Sequence, residues 1–291
     1  MAQNDLPQIL RTTDEVRAWS KAERDAGRRI GFVPTMGALH DGHLSLVTKA
    51  KEYADTVIAS IFVNPAQFAP GEDFDTYPRA ETSDLEKLAS VGCRAAFCPN
   101  AREIYPEGDA TRVYVEGLSP ILDGVFRPHF FGGVATVVSR LFCRVMPDVA
   151  VFGEKDYQQL LIIKRMTKDL GLPIDIIGAP TRREPDGLAM SSRNQYLSID
   201  ERKCAGEFAK ALQSATALIA AGETIETVTD ETVARIKAAG LQQVDYVEVR
   251  DADTLAELEG GKLKPGQKGR LLAAAWMGKT RLIDNLSVNL D

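Results

Sequence analysis

Two histidines, His40 and His43, flank Asp41-Gly42 just beyond a turn of small residues, in a chain that holds only three histidines. Ahead of them an apolar run, Ile30 to Val33, breaks at Pro34 and gives way to Thr35, Met36, Gly37, Ala38 and Leu39. After them, Leu44, Val47 and Ala50 fall on one helical face. The stretch reads as strand, tight loop and helix start. The first N–H groups of such a helix lack internal partners and its dipole adds partial positive charge, so an anion is favoured there. Gly37 and Gly42 let backbone approach a ligand with no Cβ in the way. Two imidazoles pointing the same way would add donors suited to phosphate. Capping or packing is the competing reading for both rings. A zinc pair would want an i, i+4 spacing with an intervening Glu, which is not the spacing found.

Other polar clusters follow apolar runs in the same manner. Asn64-Pro65-Ala66-Gln67-Phe68 opens a long loop that reaches Tyr77-Pro78-Arg79. Loops of that length inside a compact domain are usually functional. Gln67 can donate to and accept from a small polar substrate, while Pro65 and Phe68 shape an apolar wall; a plain surface loop is the alternative. In Gly153-Glu154-Lys155-Asp156-Tyr157-Gln158-Gln159, Lys155 stands at a helix N-terminus, where the dipole disfavours a cation unless an anion binds with it. Lys155 and Gln159 then share a face. Ser191-Ser192-Arg193 supplies two hydroxyls and a guanidinium in sequence, all phosphate donors, although taken alone SSRN reads better as a turn rich in capping residues. Phe126-Arg127-Pro128-His129-Phe130-Phe131-Gly132-Gly133 puts two glycines before another helix, suiting an anion or close packing.

Composition sets the outer limits. The 291 residues suffice for one large domain or two smaller ones. A formal charge of −6 argues against a nucleic-acid surface as the main business, so the positive groups in the motifs carry more weight. The start, MAQNDLPQIL, has neither a basic beginning nor an apolar stretch of signal-peptide length, and no segment approaches the ~20 apolar residues of a membrane span. The expected location is the cytoplasm, with no membrane partner. Cys93, Cys98, Cys143 and Cys204 form no C-x-x-C pair and read as buried free thiols.

Helical patterns cover Thr12 to Ala26, capped at Thr13 or Asp14, then His43 to Tyr53, Ser83 to Val91, Gly133 to Val145 and Lys155 to Leu170. Between them stand the first strand and further strands at Thr56 to Val63, Arg94 to Cys98, Val149 to Phe152 and Ile174 to Gly178. Runs continuous in Val, Ile and Phe suit the interior of a parallel sheet. The fold class is α/β, a doubly wound parallel sheet whose ligands bind beyond the strands' carboxyl ends. Ser198 to Glu201 fits a capping box opening a helix to about Gly222. A helix from Ile225 to Ala239 and strands at Val244 to Val249, Leu271 to Met277 and Leu282 to Val288 then suggest a smaller C-terminal α+β domain. The expected division is residues 1–182 and 183–291, with the MSSRN loop at the seam, a usual place for a site.

PTMGALHDGH resembles the H-x-G-H signature of the nucleotidyltransferase superfamily that includes class I aminoacyl-tRNA synthetases. With SIFVNPAQF, DFDTYPR, FGEKDYQQL, DGLAMSSRNQYLS, RDADTL and RLIDN in order, nearly the whole chain is similar to the pantoate–β-alanine ligases (pantothenate synthetases). That resemblance implies a Rossmann-like domain with a smaller C-terminal one, usually as a homodimer. It implies a ligase that joins pantoate to β-alanine with ATP and Mg²⁺, releasing AMP and pyrophosphate through an enzyme-bound pantoyl adenylate. Carried over by position, Met36, Gly37, Ala38, Leu39, His40, Asp41, Gly42 and His43 would contact ATP. His40 and His43 would sit on its phosphates, with His43 as a proton donor. Gly153, Glu154, Lys155 and Asp156 would bind the nucleotide, Lys155 on phosphate and Asp156 on the ribose. The backbone of Arg182 would meet adenine, and Met190, Ser191, Ser192 and Arg193 would form a mobile KMSKS-type loop over the triphosphate. Gln67 and Gln159 would hold pantoate, with Gln67 also near β-alanine, and Pro34, Thr35, Met36, Asn64 and Tyr77 would complete the substrate pocket. No protein side chain is assigned to the metal.

In-line attack on phosphorus needs alignment and charge stabilisation more than covalent help. His40, His43, Lys155, Ser191, Ser192 and Arg193 with Mg²⁺ would supply it without a nucleophilic Ser or Cys. One departure stands out: the family commonly reads R-P-G-H-F where this chain has Arg127-Pro128-His129-Phe130-Phe131, so His129 is left out of the expected site. The rival readings are weaker. A cytidylyltransferase or phosphopantetheine adenylyltransferase would not need the Gln67 and Gln159 pair. A non-catalytic nucleotide-binding regulator predicts erosion of His40, His43, Lys155 or the SSRN loop, and all are present. A tRNA-linked synthetase is disfavoured by the acidic charge and the lack of an anticodon-binding extension.

Overall fold

The computed structural model describes residues 5–290. They form two compact units. One runs to Glu154 and resumes over Ile162–Pro180; the other takes Lys155–Leu161 and the chain from Thr181 onward.

In the first unit the order is β1 (Gln8–Leu10), α1 (Thr13–Asp25), β2 (Ile30–Thr35), α2 (Asp41–Ala50), β3 (Thr56–Ile61), α3 (Glu81–Ser90), β4 (Ala95–Phe97), the short α4 (Ala101–Ile104) and α5 (Asp123–Phe126), α6 (Phe130–Val145) and β5 (Val149–Gly153). Helix α7 (Tyr157–Asp169) leads to β6 (Asp175–Ala179). The strands pair in parallel in the order β1-β4-β3-β2-β5-β6. The doubly wound reading holds. β2 lies centrally between β3 and β5, where the strand order reverses, which is where such sheets bind ligands. Its residues Ile30, Phe32 and Val33 are fully buried, as a central parallel strand requires. One face packs Val47 and Ala50 of α2 and Leu85 and Leu88 of α3 against Val33, Ala59 and Val151.

Several boundaries differ from expectation, each for a local reason. The cap of α1 is Thr12, in a reciprocal box with Glu15, not Thr13 or Asp14. Strand β2 runs through Pro34 to Thr35 because its pairing with β5 ends at Phe32, so the donor that proline lacks is not missed. Strand β1, three residues long, escapes any periodicity test. Helix α6 begins at Phe130, so Gly132 and Gly133 lie inside it. A Cβ on Gly133 would come within 2.2 Å of the Ala66 carbonyl oxygen, so close packing is what that glycine serves. Cys93 and Cys98, on either side of β4, are buried free thiols as expected, whereas Cys143 on α6 and Cys204 are free but exposed.

In the second unit, α8 (Ile199–Ala220) and α9 (Ile225–Ala238) accompany an antiparallel sheet of β7 (Gln243–Asp251), β8 (Lys268–Met277) and β9 (Thr280–Asn289), with β8 in the middle. The expected capping box at Ser198 and Glu201 is present. Phe208, Leu212 and Ile219 of α8 meet Ile236, Val247, Leu271, Ala273 and Leu282 in its core. Among the described residues no helix is long and apolar enough to cross a membrane.

Candidate active site

The histidine loop leaves β2 at Thr35, whose hydroxyl donates to the Ser60 carbonyl at 2.7 Å and accepts the Gly37 N–H at 3.1 Å. The chain then turns through Gly37 (φ 81°) and Ala38 (φ 50°), a left-handed pair that lays two successive N–H groups side by side. A side chain that sequence reading passed over occupies that concavity. Asp84 of α3 accepts from Ala38 and Leu39 N–H, both at 2.8 Å, and Lys87 donates to the Leu39 carbonyl at 2.8 Å. Asp84 is buried, and burial pushes its carboxyl up while the Leu39 and Ala38 bonds pull it down. Ala38 and Leu39 therefore direct their N–H groups into the protein.

His40 is the N-cap of α2: its Nδ1 accepts the Gly42 N–H at 3.1 Å, while His43 Nδ1 accepts the His40 N–H at 3.4 Å. The pair reproduces a capping box with imidazoles in place of hydroxyl and carboxylate. Their rings lie 4.1 Å apart. The capping reading therefore holds for both rings. A neutral imidazole that accepts at Nδ1 carries its proton on Nε2, so both rings are set as Nε2–H donors. Asp41 opens the helix and is exposed.

Beside this loop stands a chain of amides. Asn64 is fixed by two backbone groups of unambiguous polarity. The Ala66 N–H donates to its Oδ1 at 3.3 Å, and its Nδ2 donates to the Gly133 carbonyl at 3.2 Å. Asn64 Nδ2 also donates to Gln67 Oε1 at 3.0 Å, which leaves the Gln67 amino group pointing at Met36 Sδ, 3.0 Å away. Gln67 is thereby set as a donor. Behind Asn64 the Tyr105 hydroxyl donates to Oδ1 at 2.6 Å, and burial pushes the Tyr105 phenol up to about 12. Tyr105 was not foreseen. Tyr77 is buried with its ring edge-on to Phe68. Arg127 forms a two-point ion pair with Glu72 and lies 3.9 Å over the Phe130 ring, so that phenylalanine is stacked under a guanidinium. Gly153 ends β5, the neighbour of β2, and Glu154 opens the 3-10 turn that follows.

The second unit holds the remaining expected residues. Lys155 and Asp156 lie in a 3-10 turn ahead of α7, not in the α-helix itself, with Lys155 Nζ 3.9 Å from the Asp156 carboxylate. Gln159 is partly exposed in the first turn of α7, whereas Gln158 is buried. Arg182 accepts the Met190 N–H through its carbonyl at 2.9 Å, closing a hairpin that delivers Ser191. Ser191 caps a 3-10 turn spanning Ser192–Tyr196, its Oγ accepting the Arg193 N–H at 3.3 Å. Here too the capping reading of the hydroxyl describes what it does. Among the described residues no group of three or more His, Cys, Asp or Glu is gathered as a metal would need.

The pantoate-beta-alanine ligase family model matches residues 8–287. The chain belongs to that family. It is an enzyme of the ligase class, with relatives of nearly its own length. It is 58% identical over 282 residues to the pantothenate synthetase of Hyphomonas neptunium, covering 97% of this chain and 96% of that one. The pantothenate synthetase of Caulobacter vibrioides is 56% identical, with 97% and 99% covered. Among solved structures, the Thermus thermophilus pantothenate synthetase superposes with a TM-score of 0.89 at 43% identity, covering 97% of this chain and 99% of that one. The Francisella tularensis pantoate-beta-alanine ligase, complexed with beta-gamma ATP and beta-alanine, gives 0.79 at 35% identity, with 96% and 97% covered. The expected family and its two-part fold class are confirmed by these matches.

Proposed function

We propose that this enzyme condenses pantoate with β-alanine at the expense of ATP, through an enzyme-bound pantoyl adenylate, releasing pyrophosphate and then AMP. The double-histidine cap carries the reading: two Nε2–H donors held at the start of the helix that follows the strand where the sheet order reverses. Mg²⁺ enters as part of the MgATP substrate. A pantoate carboxylate oxygen attacks the α-phosphorus and the bond to the β-phosphate breaks. The β-alanine amine then attacks the acyl carbon and AMP leaves.

The protein's task is alignment of anions and stabilisation of charge as it moves onto the leaving pyrophosphate. In the first unit, His40 and His43 take the phosphates, and the Gln67 amino group holds an oxygen of the hydroxy acid, with Pro34, Thr35, Met36, Asn64 and Tyr77 around it. In the second, Lys155, Ser191, Ser192 and Arg193 neutralise the triphosphate, Asp156 takes the ribose, Arg182 the adenine and Gln159 pantoate. We read the active form as a cytoplasmic homodimer. The test is pyrophosphate–ATP exchange with Mg²⁺ and without β-alanine. Exchange that requires pantoate supports the adenylate step, and added β-alanine should then release AMP with an amide product. ATP binding without exchange overturns the reading.

A further inference from the structure

Two motifs, RDADTL and RLIDN, stand far along the chain from the nucleotide-binding segments and contribute none of the groups placed on the substrates. Their residues converge on the start of α7. Asn285 of β9 is buried; its Nδ2 donates to the Lys155 carbonyl at 2.7 Å, and its Oδ1 accepts from Arg270 Nε at 2.7 Å. Arg270, on the central strand β8, lies 3.9 Å over the Tyr157 ring. The Tyr157 hydroxyl donates to the Ala252 carbonyl at 2.9 Å, in the RDADTL turn. That turn is itself built by Asp251, whose Oδ1 accepts from Asp253 N–H, Thr254 N–H and Thr254 Oγ1. Lys155 and Tyr157 are thus gripped from two strands of the antiparallel sheet and from the turn that leaves β7.

The residue next to Asn285 grips a second segment. Asp284 is buried and accepts from Arg183 Nη1 at 2.7 Å and Nη2 at 3.0 Å, while Nη1 also donates to the Gly187 carbonyl at 2.9 Å. Arg183 pairs with Ala189 across the hairpin that delivers Ser191. Neighbouring residues of a strand point to opposite faces, so one short stretch of β9 braces two segments at a fixed spacing. A buried amide that bonds a backbone carbonyl fixes that backbone more tightly than solvent contacts would.

We infer that Asn285 is a positioning residue: through the Lys155 carbonyl, Arg270 and Tyr157 it sets where the Lys155 ammonium stands relative to the Ser191–Arg193 turn, so that both meet the nucleotide's phosphates as one preformed unit. The inference rests on the proposed role of Lys155. N285D keeps size and the Arg270 partner but turns an acceptor toward the Lys155 carbonyl. Exchange kinetics should show KM for MgATP raised about tenfold, the worth of a buried hydrogen bond replaced by a repulsion, with KM for pantoate unmoved. N285S, which restores a small donor, should recover part of the loss. In a K155A background N285D should cost nothing further.

Y157F, which removes the hydroxyl that bonds the Ala252 carbonyl, should shift KM for MgATP in the same direction by roughly two- to fivefold and serves if N285D does not fold. If K155A leaves exchange unaltered, the proposed role of Lys155 falls. If K155A impairs exchange while N285D and Y157F behave as wild type, or their losses multiply with that of K155A, the positioning role of Asn285 is overturned.

Discussion

Asp84 and Ala38 are joined by a 2.8 Å hydrogen bond from the Ala38 N–H to a buried carboxylate oxygen, and Leu39 makes the same bond to the other oxygen. The histidine loop is therefore anchored from α3, and its left-handed backbone is held by a side chain 45 residues further along the chain. In D84N one carboxylate oxygen becomes an amino group facing an N–H. Loss of the bond should cost about 2 kcal/mol of stability in urea titrations. Exchange should fall with it, because the cap residues follow directly on this turn.

Capping and chemistry can be separated at His40. Asn is an equally good N-cap, so H40N should hold the helix start within about 0.5 kcal/mol of wild type. It lacks the Nε2–H, so pyrophosphate exchange should drop by at least about tenfold, as for loss of one preorganised donor. H43A should show a similar drop with an unchanged circular dichroism spectrum. Near-normal exchange in both would remove the histidines from the mechanism.

The amide relay predicts a selective effect at a distance. Y105F deletes the donor to Asn64 Oδ1 without touching Gln67. A neutral hydrogen bond is worth about 1 kcal/mol, so KM for pantoate should rise roughly fivefold while KM for MgATP stays level. An equal rise in both would mean that the phenol serves the fold alone.

Acid stability should report the Asp186–Arg202 pair. The hydrogen bonds from Arg202, at 2.5 and 3.2 Å, hold the Asp186 carboxyl below the usual range. A folded-state value below the unfolded one, about 3.9, gives stability that is present above that pH and lost as pH falls through the folded value. D186N should lower stability near neutrality and flatten the decline below about pH 4 in a pH series of urea titrations. A slope equal to wild type would sink this account.

The parallel sheet and the loops that follow its strands were legible because each is written locally: a continuous apolar run, then glycine or polar residues, then a helical period. What escaped was written at a distance. Asp84 looks like one acid among many in ETSDLEKLAS, yet it shares the buried stripe with Leu85, Leu88 and Ala89, and an acid on an apolar stripe was the available signal. Asn285 and Asp284 were noticed only as part of a family motif, because their partners lie 130 and 101 residues away. The start of α7 was misplaced because a 3-10 turn and a helix share the same residue preferences over so short a span.

The division of the chain also governs how the molecule can be taken apart. The peptide passes from one unit to the other after Glu154, returns after Leu161 and crosses again after Pro180. Severing it near Pro180 would not yield two complete pieces. The N-terminal fragment would carry Lys155 and Tyr157 without the sheet that grips them, and the C-terminal fragment would have Arg270 with no ring to cover and Asn285 with no carbonyl to bond. Such halves, co-expressed, should recover activity only by reassociating, with the seven-residue stretch Lys155–Leu161 acting as the peptide that one fragment lends to the other.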